Sequence, residues 1–343
     1  MVLEASSDRS HVERVEKDDG HTLAFVRSGD PSGYPVFLMH GTPGSRNGPC
    51  PRGPLLYRLG LQLISYDRPG YGGSTRRVNR RVADAAEDVR TIADKLGVDQ
   101  FAVVGRSGGG PHALACAALL PGRVSCAAAL VSMAPVDAAD LDWYEGMGTF
   151  NRTKYTTADS DHEELLARLT ASAELTRLDH RRFLALLEPS TTPEDRQLLE
   201  DLAFLRLLGS TYREATRQGA VGWIDDVLAL RGPWGVPFDD IRCPVLLWHG
   251  SDDQFSPVEH TLWLHRRLRT SELTIAPGIG HFGAMEVLPD ILAALARRVH
   301  GDDDRDAPRH AGTPRTTPGP AGAAVTLAGG GATTRRDQKG SCG

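Results

Sequence analysis

The chain has 343 residues, enough for roughly two domains and for a large core that needs neither disulfide bonds nor metal ions. Apolar residues make up 40% of it and charged residues 24%, the proportions of an ordinary globular protein. The formal net charge of −5 argues against a dedicated nucleic-acid-binding protein, which needs a basic face. We therefore expect a small-molecule substrate and no nucleic-acid partner.

Two features of the sequence bear on the cellular compartment. Residues 1–20 carry several charges and no apolar core of a signal peptide, and the longest weakly charged stretch, 116–136, is interrupted by Pro-Gly-Arg. That stretch is therefore too short to cross a bilayer as a helix. The cysteines are odd in number and lack the paired spacing of metal ligands. We expect a cytoplasmic protein with reduced thiols, no membrane partner and no metal; the sequence does not indicate its oligomeric state.

The C-terminal segment differs in composition from the rest of the chain. From Gly301 onward it contains nine glycines and four prolines, and its only large aliphatic residues are Val325 and Leu327. Such a segment cannot bury enough apolar surface to offset the entropy of ordering it. We predict a disordered tail over residues 300–343.

The chain before this tail alternates strand-like and helix-like segments. Several of the strand-like runs are continuously apolar and end at glycine or proline, as strands buried on both faces of a parallel sheet do. The predicted strands are 21–27, 35–40, 61–66, 101–105, 124–132, 244–249 and 272–276, and the predicted helices are 82–96, 107–120, 257–268 and 286–299. This alternation predicts an α/β core over 11–135 and 237–299, with a mostly parallel sheet flanked by helices.

Residues 136–236 interrupt the alternation. They contain no clear strand run but do contain helical patterns at 162–178, 180–188, 194–208 and 211–218. An all-helical segment inserted between two strands of the core predicts a helical cap over 136–236.

The segment GRSGG at 105–109 carries the strongest chemical signal. It follows the strand-like run FAVVG and precedes a helix-like run, and G-x-S-x-G in that setting is typical of a nucleophile elbow. The tight turn would expose the hydroxyl of Ser107 at the carboxyl end of the sheet, where α/β proteins bind ligands. The alternative is a glycine-rich, phosphate-binding helix start, although the spacing of the known phosphate loops is absent.

A second segment, HGTPGS at 40–45, ends another predicted strand. A glycine-rich loop there can present backbone N–H groups to the oxyanion of a tetrahedral intermediate. We predict that the amides of Thr42 and Gly108 form this oxyanion hole, since Pro43 has no N–H to donate.

Two more segments with candidate catalytic residues follow the ends of predicted strands. WHGSDDQFSP at 248–257 offers Asp252 and Asp253, and GIGHF at 278–282 offers His281. Serine, aspartate and histidine thus follow one another in the order used by α/β-hydrolases. The other histidines near strand ends, His40 and His249, are interpreted as structural.

These motifs, together with SYDRPGYGGS at 65–74, resemble the α/β-hydrolase superfamily over about residues 11–299. The likeness is greatest to capped bacterial serine hydrolases of the lipase, esterase and aminopeptidase-like type. In that family the acid is the aspartate three residues after the H-G glycine, which selects Asp253; Asp252 and the migrated position Asp137 are the alternatives. Serine at the elbow excludes the family's dehalogenases and epoxide hydrolases, which use aspartate there. Thr42 and Arg106 depart from the H-G-G-P-G and G-G-S-W-G motifs of proline aminopeptidases.

The resemblance implies a two-step acyl transfer that needs no cofactor. Ser107 would attack a carboxylic ester, His281 would act as general base, and Asp253 would orient the imidazole. A peptidase or amidase, a lyase using the same triad, and a non-catalytic ligand-binding scaffold are the alternative functions. Trp143, Tyr144, Phe150, Trp223 and Trp234 either line an acyl pocket beneath the cap or form the core of the cap.

Overall fold

The computed structural model of the protein describes residues 3–4, 11–301 and 325–328. Most of the predicted disordered tail therefore lies outside the described residues. Among the helices that are described, none is long and apolar enough to span a membrane.

A large mixed sheet forms the centre of the molecule. Its strands are β2 (Glu13–Glu16), β3 (Thr22–Gly29), β4 (Tyr34–Met39), β6 (Leu61–Tyr66), β7 (Phe101–Arg106), β8 (Val124–Leu130), β9 (Val245–Gly250), β10 (Ser271–Ala276) and β11 (Val325–Ala328). Their spatial order is β11-β10-β9-β8-β7-β4-β6-β3-β2, and the strands from β10 to β6 run parallel. Strands β1 (Leu3–Glu4) and β5 (Cys50–Pro51) pair separately. The predicted α/β fold with a mostly parallel sheet is confirmed.

Helices cover both faces of this sheet. They are α1 (Gly53–Arg58), α2 (Ala85–Leu96), α3 (Gly109–Leu119), α10 (Val258–Arg267), α11 (Gly283–Glu286) and α12 (Leu288–His300). Alternate residues of β7 point to opposite faces: Phe101 and Val103 pack with α2, α3 and α10, whereas Ala102 and Val104 pack with α1 and α12. Burial on both faces explains why the central strands are continuously apolar.

The strands at the edges of the sheet were harder to predict. The seven predicted strands are all present, but β2 was missed because its sequence, ERVE, alternates half-buried and exposed positions at an edge. At the other edge, Val325–Ala328 pairs antiparallel with β10. These four residues belong to the segment predicted as a disordered tail, and a sheet edge offers unpaired backbone groups to an extended segment of this kind.

Six helices lie between β8 and β9, in the segment predicted as the cap. They are α4 (Thr149–Ser160), α5 (His162–Leu178), α6 (His180–Leu187), α7 (Pro193–Glu200), α8 (Leu202–Ala215) and α9 (Val221–Arg231). The prediction lacks α4 and α9 and divides the residues of α7 and α8 at a different place. The break falls at Asp201, whose carboxylate accepts hydrogen bonds from the first amides of α8, and α8 continues through Gly209. A Cβ at Gly209 would lie 2.7 Å from the ring of His180, so glycine permits close packing of α8 on α6 there.

Candidate active site

The elbow at Ser107 has the geometry that the sequence predicts. Ser107 lies between β7 and α3 with a positive φ of 54°, and its N–H donates to the carbonyl of Leu130 at 2.8 Å. A Cβ on Gly105 would lie 2.2 Å from the carbonyl oxygen of Gly109, so no side chain fits at that position. The turn therefore holds Ser107 at the carboxyl edge of the sheet in a backbone conformation that is strained for an L-residue.

Asp253 and His281 are joined by a hydrogen bond. His281 Nδ1 lies 2.7 Å from Asp253 Oδ2, and both side chains are buried. The alternatives for the acid lie elsewhere: Asp252 is exposed and accepts a hydrogen bond from the Ser251 hydroxyl, and Asp137 is exposed after β8. The structure thus places Asp253, rather than either alternative, beside His281.

Several other donors surround the carboxylate of Asp253. Its Oδ1 accepts hydrogen bonds from the amides of Phe255 and Ser256, and its Oδ2 lies 3.2 Å from both the Ser256 hydroxyl and His249 Nε2. Burial by itself raises the pKa of Asp253, but the charges of His281 and His249 and their hydrogen bonds to the carboxylate outweigh it and lower the pKa below its ordinary value. The carboxylate consequently stays ionised. His249 was interpreted as structural, but it also contacts the acid.

Ser107 and His281 line one cavity of about 50 Å³ beneath the cap. In the described structure their side chains are not hydrogen-bonded to each other, a separation that is common in ligand-free active sites. The ring of Phe255 packs against the imidazole at a centroid distance of 5.0 Å. This contact limits the orientations that the imidazole can adopt.

The two amides predicted to bind an oxyanion lie close together. A Cβ placed on Gly108 would lie 3.4 Å from the nitrogen of Thr42. Within the described chain, neither amide donates a hydrogen bond to the protein, so both remain available to a ligand. The carbonyl of Gly108, in the following peptide, accepts a hydrogen bond from His112 Nδ1 at 2.7 Å.

A buried charge cluster, which sequence analysis missed, holds the loop that carries Thr42. Asp226 of helix α9 accepts hydrogen bonds from the Thr42 hydroxyl at 2.6 Å and from Arg68, Arg80 and Tyr71. Arg68 also donates to the carbonyls that precede Thr42. Burial raises the pKa of Asp226, but the charges of Arg68 and Arg80 outweigh it and hold the pKa well below its usual range. A carboxylate of the cap thereby fixes the predicted oxyanion loop.

A second carboxylate of the cap supports the histidine loop. Asp195, at the start of α7, accepts a hydrogen bond from the amide of Phe282 at 2.9 Å. A Cβ on Gly280 would lie 2.1 Å from Asp195 Oδ2, so the loop that carries His281 must have glycine there. Asp195 also completes a capping box with Thr192, a local pattern that could have shown where this helix begins.

The remaining lining of the cavity is mixed. Of the five aromatic residues proposed as pocket or core, Phe150 and Trp223 line the cavity, whereas Trp143, Tyr144 and Trp234 pack within or against the cap core. Arg106 and Lys154 also line the cavity, together with the phenol of Tyr212. In the described part of the chain, no three His, Cys, Asp or Glu side chains converge as the ligands of a metal would.

Comparison with known proteins agrees with this fold. Residues 34–286 match the family model described as alpha/beta hydrolase fold. A proline iminopeptidase of Xanthomonas citri is 29% identical over 309 residues, covering 84% of this chain and 95% of that protein. Among solved structures, an enol-lactonase from Burkholderia xenovorans LB400 superposes with a TM-score of 0.60 at 14% identity, covering 84% of this chain and 100% of the other. An esterase from Thermogutta terrifontis gives 0.59 at 18% identity, covering 85% and 99%.

Proposed function

The chain belongs to the alpha/beta hydrolase fold family, and we propose that it is a serine hydrolase that cleaves a carboxylic ester of a small molecule. The observation that supports this proposal is that Ser107, His281 and Thr42 line one cavity, with Asp253 bonded to His281 and the amide of Gly108 close to that of Thr42. Nucleophile, base and oxyanion donors are the groups that acyl transfer requires.

In the proposed reaction, His281 removes the proton of the Ser107 hydroxyl as the serine oxygen attacks the ester carbonyl. The amides of Thr42 and Gly108 stabilise the oxyanion, and Asp253 stabilises the imidazolium. The imidazolium then gives its proton to the departing alcohol. Water attacks the acyl-enzyme with His281 again as the base, and the free acid leaves Ser107.

An aminopeptidase is the second candidate, because of the similarity to the proline iminopeptidase of Xanthomonas citri. Such an enzyme must bind the positively charged amino terminus of its substrate close to the scissile bond. The cavity of this protein is lined by the cationic side chains of Arg106 and Lys154, which repel an ammonium group. This charge favours the ester over the aminoacyl substrate.

Covalent labelling with a fluorophosphonate tests the proposed nucleophile. We expect stoichiometric labelling of the wild type and none of Ser107→Ala, because the probe reacts only with an activated serine. Ser160→Ala is a matched control, since that hydroxyl is exposed and bonded to a helix carbonyl. An unlabelled wild type, or a labelled Ser107→Ala variant, contradicts the proposal and favours a ligand-binding scaffold.

The bond that is cleaved is tested by comparing ethyl and p-nitrophenyl esters with prolyl p-nitroanilide. Faster hydrolysis of the esters supports the proposal. Faster hydrolysis of the anilide by a labelled enzyme identifies an aminopeptidase instead.

A further inference from the structure

The catalytic cavity carries positive charge without a matching carboxylate. Among its described lining residues, two are cationic, Arg106 and Lys154, and none is aspartate or glutamate. Asp253 contacts the far side of His281 and is not part of the lining. The other polar groups of the lining, such as the Tyr212 hydroxyl, can donate hydrogen bonds to an anion.

Arg106 is the first of these two cationic residues. It is the residue immediately before Ser107, and its backbone is fixed by the pairing of β7 with Leu130. Its guanidinium lies beside the oxyanion loop, since a Cβ placed on Gly41 would be 3.1 Å from Arg106 Nη2. Within the described chain no group accepts a hydrogen bond from this guanidinium.

The arginines of the buried charge cluster differ from Arg106, because they have a carboxylate partner. Arg68 and Arg80 are both paired with Asp226. A partly buried guanidinium with five N–H groups and no acceptor loses hydration without compensation, which costs free energy. Such a group is costly in the free protein but is well suited to a ligand that brings its own carboxylate.

Lys154 supplies a second cation from helix α4 of the cap. Its side chain is buried, and its Nζ donates to Asn151 Oδ1 at 2.7 Å, which leaves two N–H groups for other partners. The other buried lysine of the described chain, Lys17, is instead paired with Asp88 at 2.6 Å. Lys154 thus lies in the cavity without a carboxylate partner.

We propose that Arg106 and Lys154 bind a carboxylate of the substrate, so that the preferred substrates are monoesters of short dicarboxylic acids. This inference rests on the proposed ester hydrolysis and adds the substrate class. Arg106 adjoins Ser107, so the carboxylate belongs to the acyl part that remains on the serine. The volume of about 50 Å³ favours a short acyl chain. Hydrolysis consumes one water and releases the alcohol, the dicarboxylate and one proton.

The test compares two esters that differ only in charge. Monoethyl glutarate carries the carboxylate, and ethyl 4-carbamoylbutanoate replaces it with an isosteric neutral amide. We expect the wild type to prefer the anionic ester by about 10- to 100-fold in kcat/KM, the range for hydrogen bonds to charged groups. Arg106→Gln should lower this ratio by a similar factor, and Lys154→Met should lower it less.

The control variant is Arg213→Gln, which removes an exposed arginine of α8 and should leave the ratio unchanged. A wild-type ratio near one, or a ratio that Arg106→Gln does not change, overturns the inference even when fluorophosphonate labels Ser107. Unfolding midpoints measured for each variant ensure that only folded protein is compared.

Binding of the product gives a readout that does not depend on turnover. Glutarate should bind to the Ser107→Ala variant in calorimetry, and adding Arg106→Gln should weaken binding about tenfold or more. Failure of glutarate to bind overturns the inference. Failure of fluorophosphonate labelling with retained glutarate binding overturns the proposed hydrolysis and leaves the carboxylate site in place.

Discussion

The carboxyl edge of the sheet, where the loops that follow the parallel strands lie, and the helical cap contribute different groups to the same cavity. This edge is called the sheet edge below. The sheet edge supplies the groups proposed for the chemistry, namely Ser107, His281 with its acid, and the two oxyanion amides. The cap supplies the cation Lys154 and much of the aromatic lining. Cap helices also hold two of the loops at the sheet edge, through Asp226 and Asp195.

This division shows that the cap does more than cover the cavity. The oxyanion loop is fixed by a carboxylate 184 residues away in sequence, and the histidine loop by one 87 residues away. Without the cap, Arg68 and Arg80 would lose their buried counter-ion. The geometry of the sheet edge therefore depends on the position of the cap, and the following substitutions separate the two contributions.

The largest expected loss of activity comes from a substitution at the sheet edge alone. Asp253→Asn should lower kcat by about 10³- to 10⁴-fold, because an amide favours the wrong imidazole tautomer and does not stabilise the imidazolium. Asp252→Asn is the matched control and should retain most activity, since that side chain is exposed and contacts Ser251. Steady-state ester hydrolysis measures both. The reverse ranking would assign the acid to Asp252.

The second expected effect tests the anchoring by the cap. Asp226→Asn leaves two buried arginines with an uncompensated charge, which should lower the free energy of unfolding by about 3 kcal/mol or more. It should also lower kcat, because the loop of Thr42 loses its charged anchor. Urea unfolding and ester hydrolysis provide the two measurements.

The neighbouring residue offers a control for this substitution. Asp225 is itself buried, but it pairs with Arg76, whose side chain is 38% exposed, so water can solvate the arginine that remains and Asp225→Asn should cost less than Asp226→Asn. If the two variants are equally stable and equally active, the cap does not position the oxyanion loop.

The sequence predicted the sheet edge better than the cap, for a physical reason. Strands β7 and β9 are apolar runs with a glycine at or next to their carboxyl ends, so local pattern places Ser107 and Asp253 just past strand ends. The glycine-rich segment after β10 places His281 in the same way. Helix α9 is buried over most of its surface and has no apolar–polar period, so pattern analysis missed it together with Asp226. Pairing between Arg68 and Asp226 spans 158 residues and has no local signature. The charge of the cavity could be recognised only once Arg106 and Lys154 were seen to share it.

The smallest expected effect is a change of substrate preference with pH, caused by the loss of charge from Lys154 of the cap. Burial lowers the pKa of Lys154 to about 7, and the charge of Asp226 opposes this shift. Lys154 is therefore mostly an ammonium group at pH 6 and mostly a neutral amine at pH 8. Its neighbour Asn151 has no titrating group. Its neighbour Tyr155 is uncharged in this range, because burial raises the pKa of the phenol further above its ordinary value.

The preference for monoethyl glutarate over its neutral amide should consequently decrease from pH 6 to pH 8 by roughly threefold to tenfold, because one of the two cations that contact the carboxylate loses its charge. Both esters use the same general base, so effects of pH on the base cancel in their ratio, and the carboxylate of monoethyl glutarate stays ionised throughout. Lys154→Met should remove the slope and leave the constant contribution of Arg106, which keeps its charge over this range. A ratio that is independent of pH in the wild type, or a slope that persists in Lys154→Met, would show that the cap contributes no titrating charge to substrate binding and that the selectivity belongs to the sheet edge alone.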